Sequence, residues 1–144
     1  MMARFRMTDI KVDQFAILKG SPTTDDFTMR THIQFGNTPK GNEILCALKI
    51  EFVGEADEVF MMLQTTCAFE ILSEDWEKMH DEEKAVIPAS LLQYFAMQSI
   101  GTARGILHCK TEGTAMAGVI IPSMNVTKIV DKNLTITKET KAEA

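Results

Sequence analysis

Three histidines, three cysteines and two acidic runs hold most of the reactive side chains of this sequence. His32, His80 and His108 are far apart. None falls in an H-x-x-x-H or H-E-x-x-H frame, the spacing that puts two imidazoles on one helix face to hold a metal. His108 and Cys109 are neighbours, but adjacent side chains on a helix point about 100° apart, too far for the base to activate the thiol. Gly101-Thr102-Ala103-Arg104-Gly105 has the glycines of a phosphate loop without its Lys-Ser/Thr ending, and it sits inside a helical pattern. Glu74-Asp75-Glu77 and Asp81-Glu82-Glu83 read as solvated faces near a helix end, with weak cation binding or a basic partner as the alternative. We expect no catalytic residues, no metal and no cofactor. The enzymatic reading that stays open is a thiol or carboxylate working inside a binding groove.

Cys46, Cys67 and Cys109 are scattered and odd in number, with no C-x-x-C spacing, which points to free thiols in a reducing compartment. The start, Met1-Met2-Ala3-Arg4-Phe5-Arg6, turns polar before any apolar stretch of signal-peptide length. Residues 85–103 carry no charge, yet Pro88, Ser90, Gln93, Gln98, Ser99 and Gly101 interrupt them, so they read as a buried segment and not a membrane span. The expected location is cytoplasmic. With 15 basic and 20 acidic residues the net charge is −5, and no Lys/Arg run forms a stripe for a phosphate backbone, so nucleic acid is not an expected partner. At 144 residues, 45% hydrophobic and 24% charged, the chain fits one globular domain with a real core.

The elements that must position these residues change period midway. Phe27, Met29, Thr31, Ile33 and Phe35 alternate with polar residues, and Ile44, Cys46, Leu48, Ile50 and Phe52 repeat the pattern beyond the turn-forming run Gly36–Asn42. A further strand covers about 58–72 after Gly54-Glu55-Ala56-Asp57. Upstream, Phe5/Met7, Ile10/Val12 and Phe15/Ile17 each alternate but fall out of phase, which a long first strand with bulges explains. Four strands with no helix between them predict an antiparallel meander, in an α+β fold. Ser73 is the expected N-cap of a short helix containing Trp76, and a long helix should run from about Pro88–Ser90 to Lys110–Thr111, with Gly113 at its exit. A third, shorter helix starts near Asn125. Residues 1–137 form the single domain, and 138–144 read as a mobile tail.

On a helical wheel, Leu92, Phe95, Ala96, Ser99, Ala103, Ile106 and Leu107 form a core stripe. The opposite side carries Tyr94, Met97, Gly101 and His108, flanked by Arg104 and Gly105, in place of a Glu/Lys face. Gly101 and Gly105 each disfavour the helix by about 1 kcal/mol relative to Ala, and small residues in line let another backbone come close. We expect a second subunit on this side, with Tyr94, Gly101, Arg104, Gly105 and His108 in the oligomer interface. The alternative is residues 113–137 folding back over it. On the last strand Val59, Met61, Leu63, Thr65, Cys67, Phe69 and Ile71 fill one face while Phe60, Met62, Ala68 and Leu72 sit on the other, so the free side of the sheet is expected to be apolar, as an interface or groove would be. Ten methionines suit a surface that accepts varied apolar partners.

The stretch Ser99-Ile100-Gly101-Thr102-Ala103-Arg104-Gly105-Ile106-Leu107-His108-Cys109-Lys110-Thr111-Glu112-Gly113-Thr114, followed by Ile120-Ile121-Pro122-Ser123-Met124-Asn125-Val126, resembles the SecB family, and its SecB-like branch more than the proteobacterial export chaperones. The order of four strands and two helices extends the resemblance over nearly the whole chain. It implies a four-stranded antiparallel sheet with a long and a shorter C-terminal helix, assembled as a homotetramer, a dimer of dimers with the long helices between two sheets. It also implies an ATP-independent holdase that binds unfolded polypeptides, preproteins among them, in apolar grooves. Those grooves map here onto Phe60, Met62, Leu72, Trp76, Met97, Ile121 and Met124. Export members present acidic residues on the free sheet face to dock the translocation motor; here the last strand is uncharged over 59–69, with Met62 at an acidic position, and the acidic C-terminal extension is missing. This puts the motor and protein export in doubt more than client binding. The alternative is a dedicated chaperone of one small protein, such as an antitoxin.

Overall fold

The computed structural model describes residues 3–18 and 26–137, so the predicted mobile tail at 138–144 lies outside the described residues. The elements in chain order are β1 (Phe5–Ile17), β2 (Thr28–Asn37), β3 (Glu43–Val53), β4 (Val59–Ile71), α1 (Ser73–Glu77), β5 (Lys84–Ile87), α2 (Ala89–Thr111), α3 (Val126–Ile129) and β6 (Leu134–Thr137). The first four strands form one antiparallel sheet in the order β1-β4-β3-β2, and β5 pairs with β6 in a separate ribbon. The expected four-stranded sheet with a long and a short helix is what forms. The meander, however, covers only β2, β3 and β4; β1 joins the far side of β4, so β1 and β2 are the two edges of the sheet.

The hairpins follow from local chemistry. Between β2 and β3, Gly41 takes φ +83° and donates its N–H to the Thr38 carbonyl at 2.9 Å, a conformation open to glycine without a Cβ clash. Between β3 and β4, Asp57 takes φ 63°, a region that Asp tolerates, and its carboxylate pairs with Arg30 at 2.7 Å.

Register explains the phase slips of β1. Phe5, Met7, Ile10, Val12, Phe15 and Ile17 lie opposite Ile71, Phe69, Cys67, Thr65, Leu63 and Met61 of β4. The register shifts between Met7 and Asp9 and between Val12 and Gln14, so Thr8 and Asp13 are the extra residues, and each restores the apolar set to the same side. That side faces α2, which packs on β4 and β3. Phe95 of α2 stacks on Phe69 with ring centroids 4.4 Å apart and meets the edge of Phe5 at 4.9 Å. Within α2, Leu92, Phe95, Ala96, Ser99, Ala103 and Leu107 are buried as the wheel predicts, with Ile106 half-buried.

At the other elements, α1 begins one residue away from the expectation: Leu72 is its N-cap and Ser73 its first helical residue. α3 is a single turn in which the Asn125 side chain accepts from the Thr127 N–H at 3.2 Å. The uncharged run 85–103 divides at Pro88 into β5 and the first half of α2. No helix among the described residues is long and apolar enough to cross a membrane. We predict that Phe95→Ala lowers the unfolding free energy by about 3–5 kcal/mol in urea denaturation. Gln34→Ala on the opposite face of the sheet should change it by about 0.5 kcal/mol or less.

Candidate functional site

The sheet has two unlike sides. On the side away from α2, register places Arg6, Asp9, Lys11, Gln14 and Ala16 beside Glu70, Ala68, Thr66, Gln64 and Met62, then Glu43, Leu45, Ala47, Lys49 and Glu51, then Gly36, Gln34, His32 and Arg30. Arg6 pairs with Glu70 at 3.0 Å and Lys49 with Glu51 at 4.0 Å. This face is polar and of mixed charge, which corrects the expectation of an apolar free side: the uncharged residues of β4 are framed by charged ones on β1 and β3.

Phe60 is a second correction. The register shift at the end of β3 pairs Phe52 with Met61 and Val53 with Val59, leaving Phe60 as the extra residue. It turns into the core, 3% exposed, with ring centroids 6.3 Å from Phe52 and 6.2 Å from Phe27. Ile121 is also fully buried, so neither side chain is on the surface of this chain. Met62 is half-buried between Ala16 and Glu51. Leu72 is exposed. Trp76 is half-buried, stacked on His80 at 5.2 Å, and Met124 packs half-buried against the core. The predicted groove residues thus do not form one surface.

What the structure brings together lies along α2. After α2 the chain turns at Gly113, φ +77°, and runs back antiparallel beside the helix. Arg104 donates from Nε to the Ile121 carbonyl at 2.6 Å and from Nη2 to the Pro122 carbonyl at 3.0 Å. Gln93 donates to the Val130 carbonyl at 2.8 Å, and the Asn133 side chain accepts the Ala89 N–H at 2.8 Å. Met116, Val119, Ile121, Val126 and Val130 bury their side chains in the core. The fold-back alternative is therefore realised on one flank of α2, and Arg104, expected in an oligomer interface, makes an intrachain clamp instead. The rest of that side stays open: Tyr94 is 45% exposed and Met97 54%, with Gly101, Gly105 and His108 exposed beside them. Ile120 and Ile129, each next to a clamped residue on the return segment, are exposed too.

The glycines matter here. A Cβ on Gly101 would meet only Arg104 Nη1, at 3.9 Å, and one on Gly105 nothing within 4 Å. Nothing among the described residues requires a glycine at either helical position, so the helix propensity they forgo has no return there. A second apolar patch is on β1, where Ile10 and Val12 share the α2 side of the sheet yet are 49% and 41% exposed. Sequence reasoning did not single out Ile10, Val12, Ile120 or Ile129. Each belongs to an apolar pattern whose other members are buried, so pattern alone does not mark them as exposed.

Among the described residues no group of three or more His, Cys, Asp and Glu is placed to hold a metal ion. Asp75 accepts from the Arg4 backbone N–H at 2.9 Å and from its Nε at 3.1 Å, which holds its carboxyl below the usual range and ties α1 to the start of β1. This tether is present at neutral pH and is lost as acid protonates Asp75. Asp81 accepts from the N–H groups of Glu83 and Lys84, closing the turn into β5. Cys46 and Cys67 face each other across β3 and β4 beneath α2. Burial pushes the Cys46 thiol up to about 11 and raises Cys67 as well, with Ser99 above them a weaker opposing influence.

The sequence matches no family model and no curated protein. Among solved structures, the chain is similar to the Mycobacterium tuberculosis Rv1957 SecB-like chaperone, solved in complex with a ChAD peptide from the Rv1956 HigA1 antitoxin. The TM-score is 0.58 at 13% sequence identity, over 85% of this chain and 91% of that one. The fold is SecB-like. We predict that a thiol reagent at pH 8 labels Cys109 at once in the folded protein and reaches Cys46 and Cys67 only after denaturant is added; fast labelling of all three would contradict the sealed α2–sheet packing.

Proposed function

We propose that this chain is a SecB-like chaperone that holds a non-native polypeptide without nucleotide, and that its client is one dedicated small protein and not exported preproteins at large. It acts as a binding protein in the cytoplasm and not as an enzyme. The observation that carries this reading is the open side of α2, with Tyr94 and Met97 exposed and two glycines that nothing among the described residues explains. The solved structural neighbour holding an antitoxin peptide supports a polypeptide client of the dedicated kind. The mixed-charge free face of the sheet, with Met62 near one end of β4, offers no acidic patch for a translocation motor, which speaks against the export role.

The mechanism is burial and release. A disordered segment laid along the α2 seam covers apolar side chains at about 25 cal/mol per Å², offset by the entropy of ordering it, so selection favours chains that are already unfolded. Tyr94, Gly101, Gly105 and His108 are assigned to contact with a second copy, and the exposed Ile10 and Val12 add a second surface for the dimer-of-dimers assembly. The exposed Met97, Ile120 and Ile129, which border the return segment, are assigned to the client.

Two measurements test this. Light scattering should give a mass that is a multiple of 16.1 kDa. Gly101→Ala with Gly105→Ala should stabilise the helix by about 1 kcal/mol each yet shift the assembly towards smaller species; a monomeric wild type, or an assembly indifferent to both substitutions, overturns the homo-oligomer. For the client, stoichiometric protein should suppress aggregation of its dedicated partner far better than that of an unrelated denatured enzyme. Equal protection of both restores the general holdase, and protection of neither rejects the chaperone.

A further inference from the structure

We infer that Arg104 is a positioning residue for client capture: its two bonds to consecutive carbonyls decide which of Ile120 and Ile121 faces outward. This rests on the chaperone reading above. Between Val119 and Asn125 the return segment belongs to no helix or strand, so no ladder fixes its register. It is anchored by apolar side chains, and Ile120-Ile121 is a degenerate anchor because either isoleucine fits the same kind of socket. In the structure Ile121 is fully buried and Ile120 is 55% exposed. Turning the extended segment about its own axis, between the buried Val119 and Val126, exchanges those roles.

Arg104 removes the degeneracy. Nε and Nη2 meet the carbonyls of Ile121 and Pro122 at 2.6 and 3.0 Å, a geometry that uses the planar two-donor edge of a guanidinium. Turned that way, the segment points these two carbonyls away from Arg104 and leaves its donors without them, on a half-buried cation. Lysine at this position keeps the charge but has a single ammonium in place of the fork. Pro122 lacks an N–H, so this stretch has one donor fewer with which to fix itself. Arg104 thus acts through Ile120 and does not itself touch the client.

The test uses the full-length protein and reduced, carboxymethylated lactalbumin as a permanently unfolded probe. In Arg104→Gln and Arg104→Lys, hydrogen exchange at 119–125 should speed up by about tenfold while α2 and the sheet stay protected. Affinity for the probe should fall by about tenfold in both, with no rescue by lysine. Ile120→Ser should lower affinity without altering exchange, and Ile121→Ser should lower the melting temperature. The inference is overturned if affinity stays at the wild-type level while 119–125 exchanges faster, if exchange is unchanged, if Ile120→Ser binds as wild type does, or if both Arg104 variants unfold globally, which would make the residue one of plain stability. The wild-type protein should bind this generic probe more weakly than its dedicated partner; failure to hold either would instead reject the chaperone reading, and the exchange contrast would still judge the clamp.

Discussion

One helix cannot cover four strands. An α-helix with its side chains is about 10 Å across, and strands lie about 4.8 Å apart, so α2 shields roughly two of them. It sits on β4 and β3, the two central strands, whose inward residues from Ile44 to Phe52 and from Met61 to Ile71 are accordingly sealed. The edge strands carry apolar residues on the same side. On β2 they are half-buried; on β1 the middle of the strand, Ile10 and Val12, is left open. The excess apolar surface of this protein follows from that mismatch of widths, and it lies on the helix side of the sheet, not on the free face where alternation along β4 suggested it.

The same mismatch gives the return segment its role. After α2 the chain has one uncovered flank of the helix within reach, and it takes the flank of Gln93 and Arg104 by side-chain bonds to its own backbone. This is a weak way to hold a polypeptide compared with a strand ladder, but it adapts to an irregular path. It also leaves Ile120 and Ile129 exposed on the return segment, as Tyr94 and Met97 are on the helix. Exposed apolar side chains on a segment with little regular structure suit the acceptance of a disordered chain.

The sheet, its strands and the long helix were legible because their signals are long and periodic. The three out-of-phase apolar pairs of β1 resolved into two bulges, since a period-two pattern has no other economical way to keep one face. The position of β1 beside β4 was not legible: alternation reports which face a residue occupies and is silent about which neighbour it pairs with. The β5–β6 ribbon was hidden for a related reason. Each strand is four residues long, and the partners are separated in the chain by the whole of α2 and α3. Phe60 was misplaced by parity, because one bulge at the end of the strand inverts the facing of the residue it inserts. Arg104 was read from its angle on the wheel. What it does depends on where residues 121 and 122 return, which no local pattern encodes.

The glycines carry the argument for a partner further than any exposed hydrophobic does. An exposed Tyr or Met is common on monomeric proteins and needs no explanation. A glycine inside a 23-residue helix is different, because it disfavours the very element it sits in, and substitution to alanine would meet no obstacle within this chain at Gly105 and only the tip of a flexible side chain at Gly101. Two such positions one turn apart lie on the exposed side of the helix with Tyr94 and Met97. In the proposed assembly the missing Cβ atoms would let another backbone lie against the helix axis, closer than an alanine surface would permit.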